Sequence, residues 1–186
     1  MGMPDLVKRW TREEVLALPD DGNRYELFDG ELLVTPAPSG LHQVAHMFLW
    51  KALESYVRAH GIGWLMSSPA DLRLGGKQLS QPDLFVMPWL PESRDWDDFP
   101  NPILVIEILS PSSAHHDRFV KRRRFQRTGI PEYWIVDLDA RAIERWRPAD
   151  ERPEVLDERL RWHPTAAAEP LELDLPRLFK EIRGTE

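Results

Sequence analysis

At 186 residues, 42% hydrophobic and with eight tryptophans, the chain can bury one substantial core and is not a disordered or low-complexity protein. Lack of cysteine excludes a disulfide scaffold and any thiolate metal site. No apolar run approaches the roughly 18 residues of a membrane span, and Met1 to Arg12 lacks the layout of a signal peptide. The expectation is one soluble, cytoplasmic domain over residues 1–186.

Thr11-Arg12-Glu13-Glu14 has capping-box spacing and predicts a short helix through Leu18. Asp29-Gly30 between Arg24–Phe28 and Glu31–Thr35 predicts a tight hairpin. After Pro36-Ala37-Pro38, Ser39 is placed to cap a long helix to about His60, with Ala45, Leu49, Leu53 and Tyr56 at helical spacing. Gly61 and Gly63 end it.

Strands are predicted near Trp64–Ser67, Asp71–Leu74, Asp83–Val86 and Ile103–Leu109. Between the last two lies a proline-rich loop carrying Asp95-Trp96-Asp97-Asp98. A second long helix, about Ala114 to Arg127, places Asp117, Lys121 and Phe125 on one face. Tyr133–Leu138 and Ala142–Trp146 form a further hairpin. The polar stretch Arg147 to Ala168 reads as an irregular hairpin, and Asp174 caps a last helix through Ile182. This order of elements implies a mixed α/β (α+β) fold, a central mixed sheet flanked by helices, with hairpin extensions at both ends.

Two acids stand out. Glu107 lies within Ile103-Leu104-Val105-Ile106-Glu107-Ile108-Leu109, a run suited to a strand buried on both faces, and Asp83 opens another apolar strand after Pro82. A lone ionised carboxylate in such a setting is very costly unless it is paired or holds a metal. Two carboxylates, a backbone carbonyl at Ile108 and water would suit Mg²⁺ or Mn²⁺. Lys121 follows about one short helix later. With Asp117 four residues before it, the alternative is a helix-surface ion pair worth about 0.3–0.5 kcal/mol.

Some expectations follow from charge alone. Mutual repulsion of the two acids predicts that Asp83→Asn leaves the fold intact or stabilises it. A helix-surface Lys121 predicts a melting temperature insensitive to Lys121→Met. The net charge of −7 disfavours a high-affinity nonspecific nucleic-acid binder. Yet Arg118, Lys121, Arg122, Arg123, Arg124 and Arg127 fall within ten residues, and local field governs a cleft. His42 and His46 have the spacing of a paired-histidine zinc site but lack the intervening glutamate, so one histidine facing the cleft is the simpler reading. His115-His116 reads as a surface pair. Glu26 and Glu31 each stand either at solvent or near a metal.

At these residues the chain resembles the Uma-two family of restriction-type endonucleases, within the PD-(D/E)XK nuclease superfamily. The resemblance rests on Tyr25-Glu26-Leu27-Phe28-Asp29-Gly30-Glu31-Leu32, Pro36 to His42, Gln81-Pro82-Asp83, Val105 to Ser112, Asp117, Lys121, and Gly129 to Val136. It implies a restriction-endonuclease-like core in which Asp83 and Glu107 bind Mg²⁺ or Mn²⁺, with the Ile108 carbonyl. The superfamily lysine belongs two residues after the glutamate, where this chain has Leu109. Lys121 from the next helix is then the catalytic lysine, with Glu26, His42 and Asp117 as further site candidates. Arg122, Arg123, Arg124 and Arg127 would hold the DNA backbone, and the aromatic hairpins would contribute to a homodimer. The implied activity is DNA phosphodiester hydrolysis. The alternatives are a noncatalytic nucleic-acid-binding or assembly protein, or a hydrolase of a smaller phosphoester.

Overall fold

The computed structural model describes residues 8–74, 78–88, 92, 98–164 and 169–184. Asp95, Trp96 and Asp97 of the predicted acidic cluster lie outside the described residues.

The order of elements is α1 (Arg12–Leu16), β1 (Arg24–Phe28), β2 (Glu31–Thr35), α2 (Gly40–Ala59), β3 (Trp64–Ser67), β4 (Leu84–Met87) and β5 (Leu104–Ile108). A π-helical segment, His116–Lys121, then runs into α3 (Arg122–Arg127). The rest is β6 (Glu132–Asp137), β7 (Ala142–Trp146), β8 (Glu154–Leu156), β9 (Arg159–Trp162), β10 (Leu171–Asp174) and α4 (Leu175–Arg183).

Strands β3 to β8 form a six-stranded sheet in sequence order. Only β5 and β6 run parallel, because the helix between them returns the chain to the same end. Two small antiparallel pairs, β1–β2 and β9–β10, stand outside this sheet. The fold is therefore the expected mixed α/β arrangement, a central mixed sheet flanked by helices.

Local chemistry accounts for most boundaries. Thr11 and Glu14 form the reciprocal capping box, although α1 ends at Leu16, short of the expected Leu18. Asp29 and Gly30 both take positive φ (50° and 87°), as a two-residue hairpin turn requires. Ser39 caps α2 by accepting from the His42 N–H, and Asp174 caps α4 by accepting from the Arg177 N–H.

Three predicted elements differ. The stretch from Arg147 holds β8 and β9, which do not pair with each other: β8 joins β7 in the main sheet and β9 pairs with β10. Asp71–Leu74 is not a strand. Leu72 only exchanges a pair of backbone hydrogen bonds with Ser80 (2.8 and 3.0 Å), while Leu27 does the same with Leu79. The 78–81 segment thus ties β1 to the body of the protein. The helix after β5 is also not uniform: across His116–Lys121 it widens, with the Arg122 N–H bonding Asp117 O five residues back.

Two cores lie on opposite faces of the sheet. Ala45, Leu49 and Leu53 of α2 pack with Leu84, Val86, Leu104 and Ile106, joined by Leu178 and Ile182 of α4. Phe125 of α3 packs with Phe85, Met87, Val105 and Tyr133 on the other face. No described helix is long and apolar enough to cross a membrane.

The α2–β3 connection packs closely against the end of β4. Gly63 has φ +155°, and a Cβ there would lie 1.9 Å from Met87 O. Since Met87 pairs with Trp64 in the β3–β4 register, any side chain at this position must push the two strands apart. Gly63→Ala is expected to destabilise the protein by about 2–4 kcal/mol, read from urea unfolding. A loss below about 0.5 kcal/mol, ordinary for a surface substitution, would contradict this placement.

Candidate functional site

In β5, strand alternation puts Glu107 with Val105 on the α3 side, while Ile106 faces α2. Asp83 stands one residue before β4, at a bend where the alternation no longer applies, and its carboxylate meets His42 of α2, Arg24 of β1 and the Ile108 N–H at the sheet end. The antiparallel register sets Leu84 opposite Ile106, which brings Asp83 and Glu107 abreast at one end of the sheet. The Asp83 N–H lies 3.4 Å from Glu107 Oε2. Both acids line a cavity of about 320 Å³, together with Arg24, His42, Ile108 and Lys121.

Asp83 is almost fully buried and held from three directions. Arg24 Nη1 donates to Oδ1 (2.9 Å), the Ile108 N–H donates to Oδ2 (2.8 Å), and His42 Nε2 lies 3.0 Å from Oδ2. His46 Nε2 reaches the Asp83 backbone oxygen at 3.2 Å. Burial alone would raise the Asp83 pKa, but the His42 hydrogen bond and the Arg24 charge hold it well below the usual carboxylate range. Both histidines of α2 thus hold Asp83, and of the two it is His42 that lines the cavity. Arg24, His42 and the Ile108 amide hold Asp83 as a carboxylate, so its surroundings supply no repulsion for Asp83→Asn to relieve.

Lys121 is 2% exposed. Its ammonium lies 2.8 Å from Glu26 Oε2, 2.9 Å from Glu107 Oε1 and 3.3 Å from Asp117 Oδ1. The Asp117–Lys121 pair exists, but burial and two further acids make it something other than a helix-surface pair. Burial opposes the charge, yet Glu107, Glu26 and Asp117 outweigh it and lift the Lys121 pKa well above its ordinary value. Burial pushes the Glu107 carboxyl well up; Lys121 pulls the other way, while Asp83, Asp117 and Glu26 push with burial. Asp117 is raised for the same first reason. Burial is the first cause of both rises, and the crowding of acids around one ammonium adds to it.

The first hairpin delivers two of these groups. Arg24 and Glu26 are two residues apart in β1 and share a face. Glu26 Oε1 accepts from Ser80 Oγ and the Gln81 N–H, each at 2.9 Å, so its other oxygen is left for Lys121. Arg24 Nη1 also donates to Gln81 O (3.0 Å). Glu31 is exposed and takes no part.

The basic run divides. Arg118 pairs with Asp137 (2.8 Å) and Glu144 (2.7 Å). Arg122 stacks over Trp146, 4.6 Å from the ring centre, and Arg124 is held by Asp29 (3.1 Å) and Gln78. Arg123 and Arg127 are exposed.

Among the described residues, no three Asp, Glu, His or Cys side chains are gathered so as to hold a metal by themselves. Asp83 and Glu107 nonetheless supply hard oxygens at one cavity. Glu107 Oε2, whose one contact is the long 3.4 Å approach of the Asp83 N–H, is the least engaged of them. Two carboxylates completed by a carbonyl and water suit Mg²⁺, which keeps much of its hydration. The residues fit such an ion.

The sequence pattern of the Uma2 (Uma-two) family, described as "Putative restriction endonuclease", matches residues 12–176. The chain belongs to the Uma2 family. Its structure is similar to the crystal structure of a "putative nuclease belonging to DUF820" from Anabaena variabilis ATCC 29413. The two are 25% identical with a TM-score of 0.74, over 93% of this chain and 99% of that one. No curated protein matches the chain.

Charge balance in the cage makes a paired prediction. Lys121→Met strips the ammonium from three buried carboxylates and is expected to cost about 3–5 kcal/mol, in place of the unchanged melting temperature expected of a surface pair. Burial raises the Glu107 carboxyl, which costs stability above its unfolded pKa, so Glu107→Gln removes that cost and is expected to hold or raise the melting temperature at neutral pH. Calorimetric melting of both variants checks this; a Lys121→Met protein as stable as wild type would refute the buried cage.

Proposed function

We propose that this Uma2 protein is a Mg²⁺- or Mn²⁺-dependent endonuclease that hydrolyses phosphodiester bonds in DNA. The observation carrying the proposal is the buried Lys121 ammonium seated on Glu107, with Asp83 abreast of it at the same cavity. Asp83, Glu107 and the Ile108 carbonyl would hold the ion. Once bound, a divalent cation polarises the scissile phosphate and acidifies a water.

The chain's own residues do the remaining work. Arg24, His42 and the Ile108 N–H fix the Asp83 carboxylate in one orientation, so no reorganisation is needed when substrate arrives. Glu107, Glu26 and Asp117 keep Lys121 charged despite its burial, and its ammonium orients the attacking water or stabilises charge on the pentavalent phosphate. A helix-borne lysine thereby serves in place of the one that Leu109 displaces. Arg123 and Arg127 position the phosphate backbone without reading bases. As the arrangement for cutting both strands we propose a cytoplasmic pair of chains; the β3 edge, with Trp64 exposed, offers a surface for such pairing.

One feature favours a second reading, a noncatalytic nucleic-acid-binding relative: both oxygens of Asp83 and the whole of Lys121 are satisfied inside the protein. Cleavage separates the two. The wild-type protein is expected to nick supercoiled plasmid with Mn²⁺ or Mg²⁺ and to be inert in chelator. Asp83→Asn and Glu107→Gln should lose cleavage and Mn²⁺ binding by calorimetry, yet retain oligonucleotide binding. A wild-type protein that binds DNA but leaves it intact with either ion would establish the second reading.

A further inference from the structure

The helix that buries Lys121 presents a different chemistry on its outer face. His115, Phe119, Arg123 and Arg127 recur every fourth residue, and all four are exposed, while Asp117, Lys121 and Phe125 between them are buried. A step of four drifts around a regular α-helix of 3.6 residues per turn. Here the wider π-helical turn holds more residues and drifts in the opposite sense, so the four remain in one stripe. They border a common surface depression of about 440 Å³.

Phe119 is 49% exposed, an unusual position for an aromatic ring on a helix whose inner face supplies a core phenylalanine. The His115 ring lies beside it, with centroids 5.0 Å apart. Two guanidinium groups follow within two helical turns. The carboxylate at this face, Asp29, is paired with Arg124 at 3.1 Å. The start of the stripe adjoins the cavity, because Ser112 and Ser113 line the Asp83–Glu107 site and His115 is two residues further on.

We propose that this stripe binds single-stranded DNA leaving the site, with an unpaired base stacked on Phe119 and His115 and the following phosphates on Arg123 and Arg127. Exposed aromatic rings interleaved with arginine are how strands are held without sequence preference. Stacking on Phe119 needs an unpaired base, which a closed duplex does not offer. From His115 to Arg127 the helix advances about 18 Å, roughly five nucleotides of stacked strand at about 3.4 Å each. The choice of DNA rests on the nuclease proposal; the stripe itself does not.

The test is fluorescence anisotropy of the full-length protein in chelator, with labelled oligothymidylate and a blunt duplex carrying the same label. Phe119→Ala should weaken single-strand binding about ten- to a hundredfold and leave duplex binding and melting temperature nearly unchanged, with Phe119→Trp restoring affinity. Arg123→Met and Arg127→Met should each reduce the dependence of log K on log salt by about 0.7, whereas Arg122→Met, whose side chain is already stacked on Trp146, should not. Single-strand affinity unchanged in Phe119→Ala overturns the proposal. So does a change confined to oligomeric state by sedimentation, which would assign the ring to a contact between chains. Loss of single-strand binding in Phe119→Ala with no cleavage by the wild type would support the stripe and sink the nuclease reading; cleavage with unaltered single-strand binding would do the reverse.

Discussion

The placement of Lys121 among Glu26, Glu107 and Asp117 is the constraint on which the rest of this structure depends. Its three acids come from the first hairpin, the central sheet and the π-helical segment, and one ammonium draws them together. A buried charge cluster is weak evidence for stability, since hydrophobic residues of similar volume often serve as well or better. The cost of desolvating four charges is reasonable where the charges are used. Its position next to Asp83, a carboxylate held by Arg24, His42 and the Ile108 amide, is consistent with use in chemistry.

This cage also explains why the small hairpin belongs to the site. β1 makes no pairing with the main sheet. It is joined instead through Leu27 and Leu79, through Glu26 to Ser80 and Gln81, and through Arg24 to Asp83. Removing the Glu26 or Arg24 side chain takes a partner from Ser80 and Lys121 or from Asp83, so the position of the hairpin and the charge balance of the site depend on each other. The helix carrying Lys121 is likewise divided: its inner face completes the charge cage and its outer face is cationic and aromatic. A protein of net charge −7 can thus present a local surface suited to polyanions.

Much of this was legible in the sequence, for identifiable reasons. Asp29-Gly30, Ser39, Asp174 and the α2 apolar spacing act through local rules that tertiary context did not override. Glu107 was visible because a carboxylate amid β-branched residues contradicts its surroundings. Lys121 was visible through its distance from Glu107, but its burial was not, since a lysine four residues after an aspartate is also the commonest surface pattern. Arg24 and Ser80 were missed: each looks like an ordinary polar residue beside a strand, and only the fold brings them to Asp83 and Glu26. The zinc-like spacing of His42 and His46 carries no local sign that both reach Asp83, which only the fold brings to α2. The π-helical turn has no sequence signal of its own, and it is what keeps the outer stripe straight. Asp71–Leu74 alternates like a strand yet finds a single bridging partner in Ser80.

The central claim is that Asp83 and Glu107 share one cation next to Lys121. Anomalous scattering from a crystal soaked in Mn²⁺ tests it most directly. The account predicts one strong peak in the cavity, within direct coordinating distance (about 2.1 Å for an ion of this kind) of an oxygen of each acid, and its loss in Asp83→Asn. A saturated crystal with no peak there, or with its peak on other residues, would contradict it.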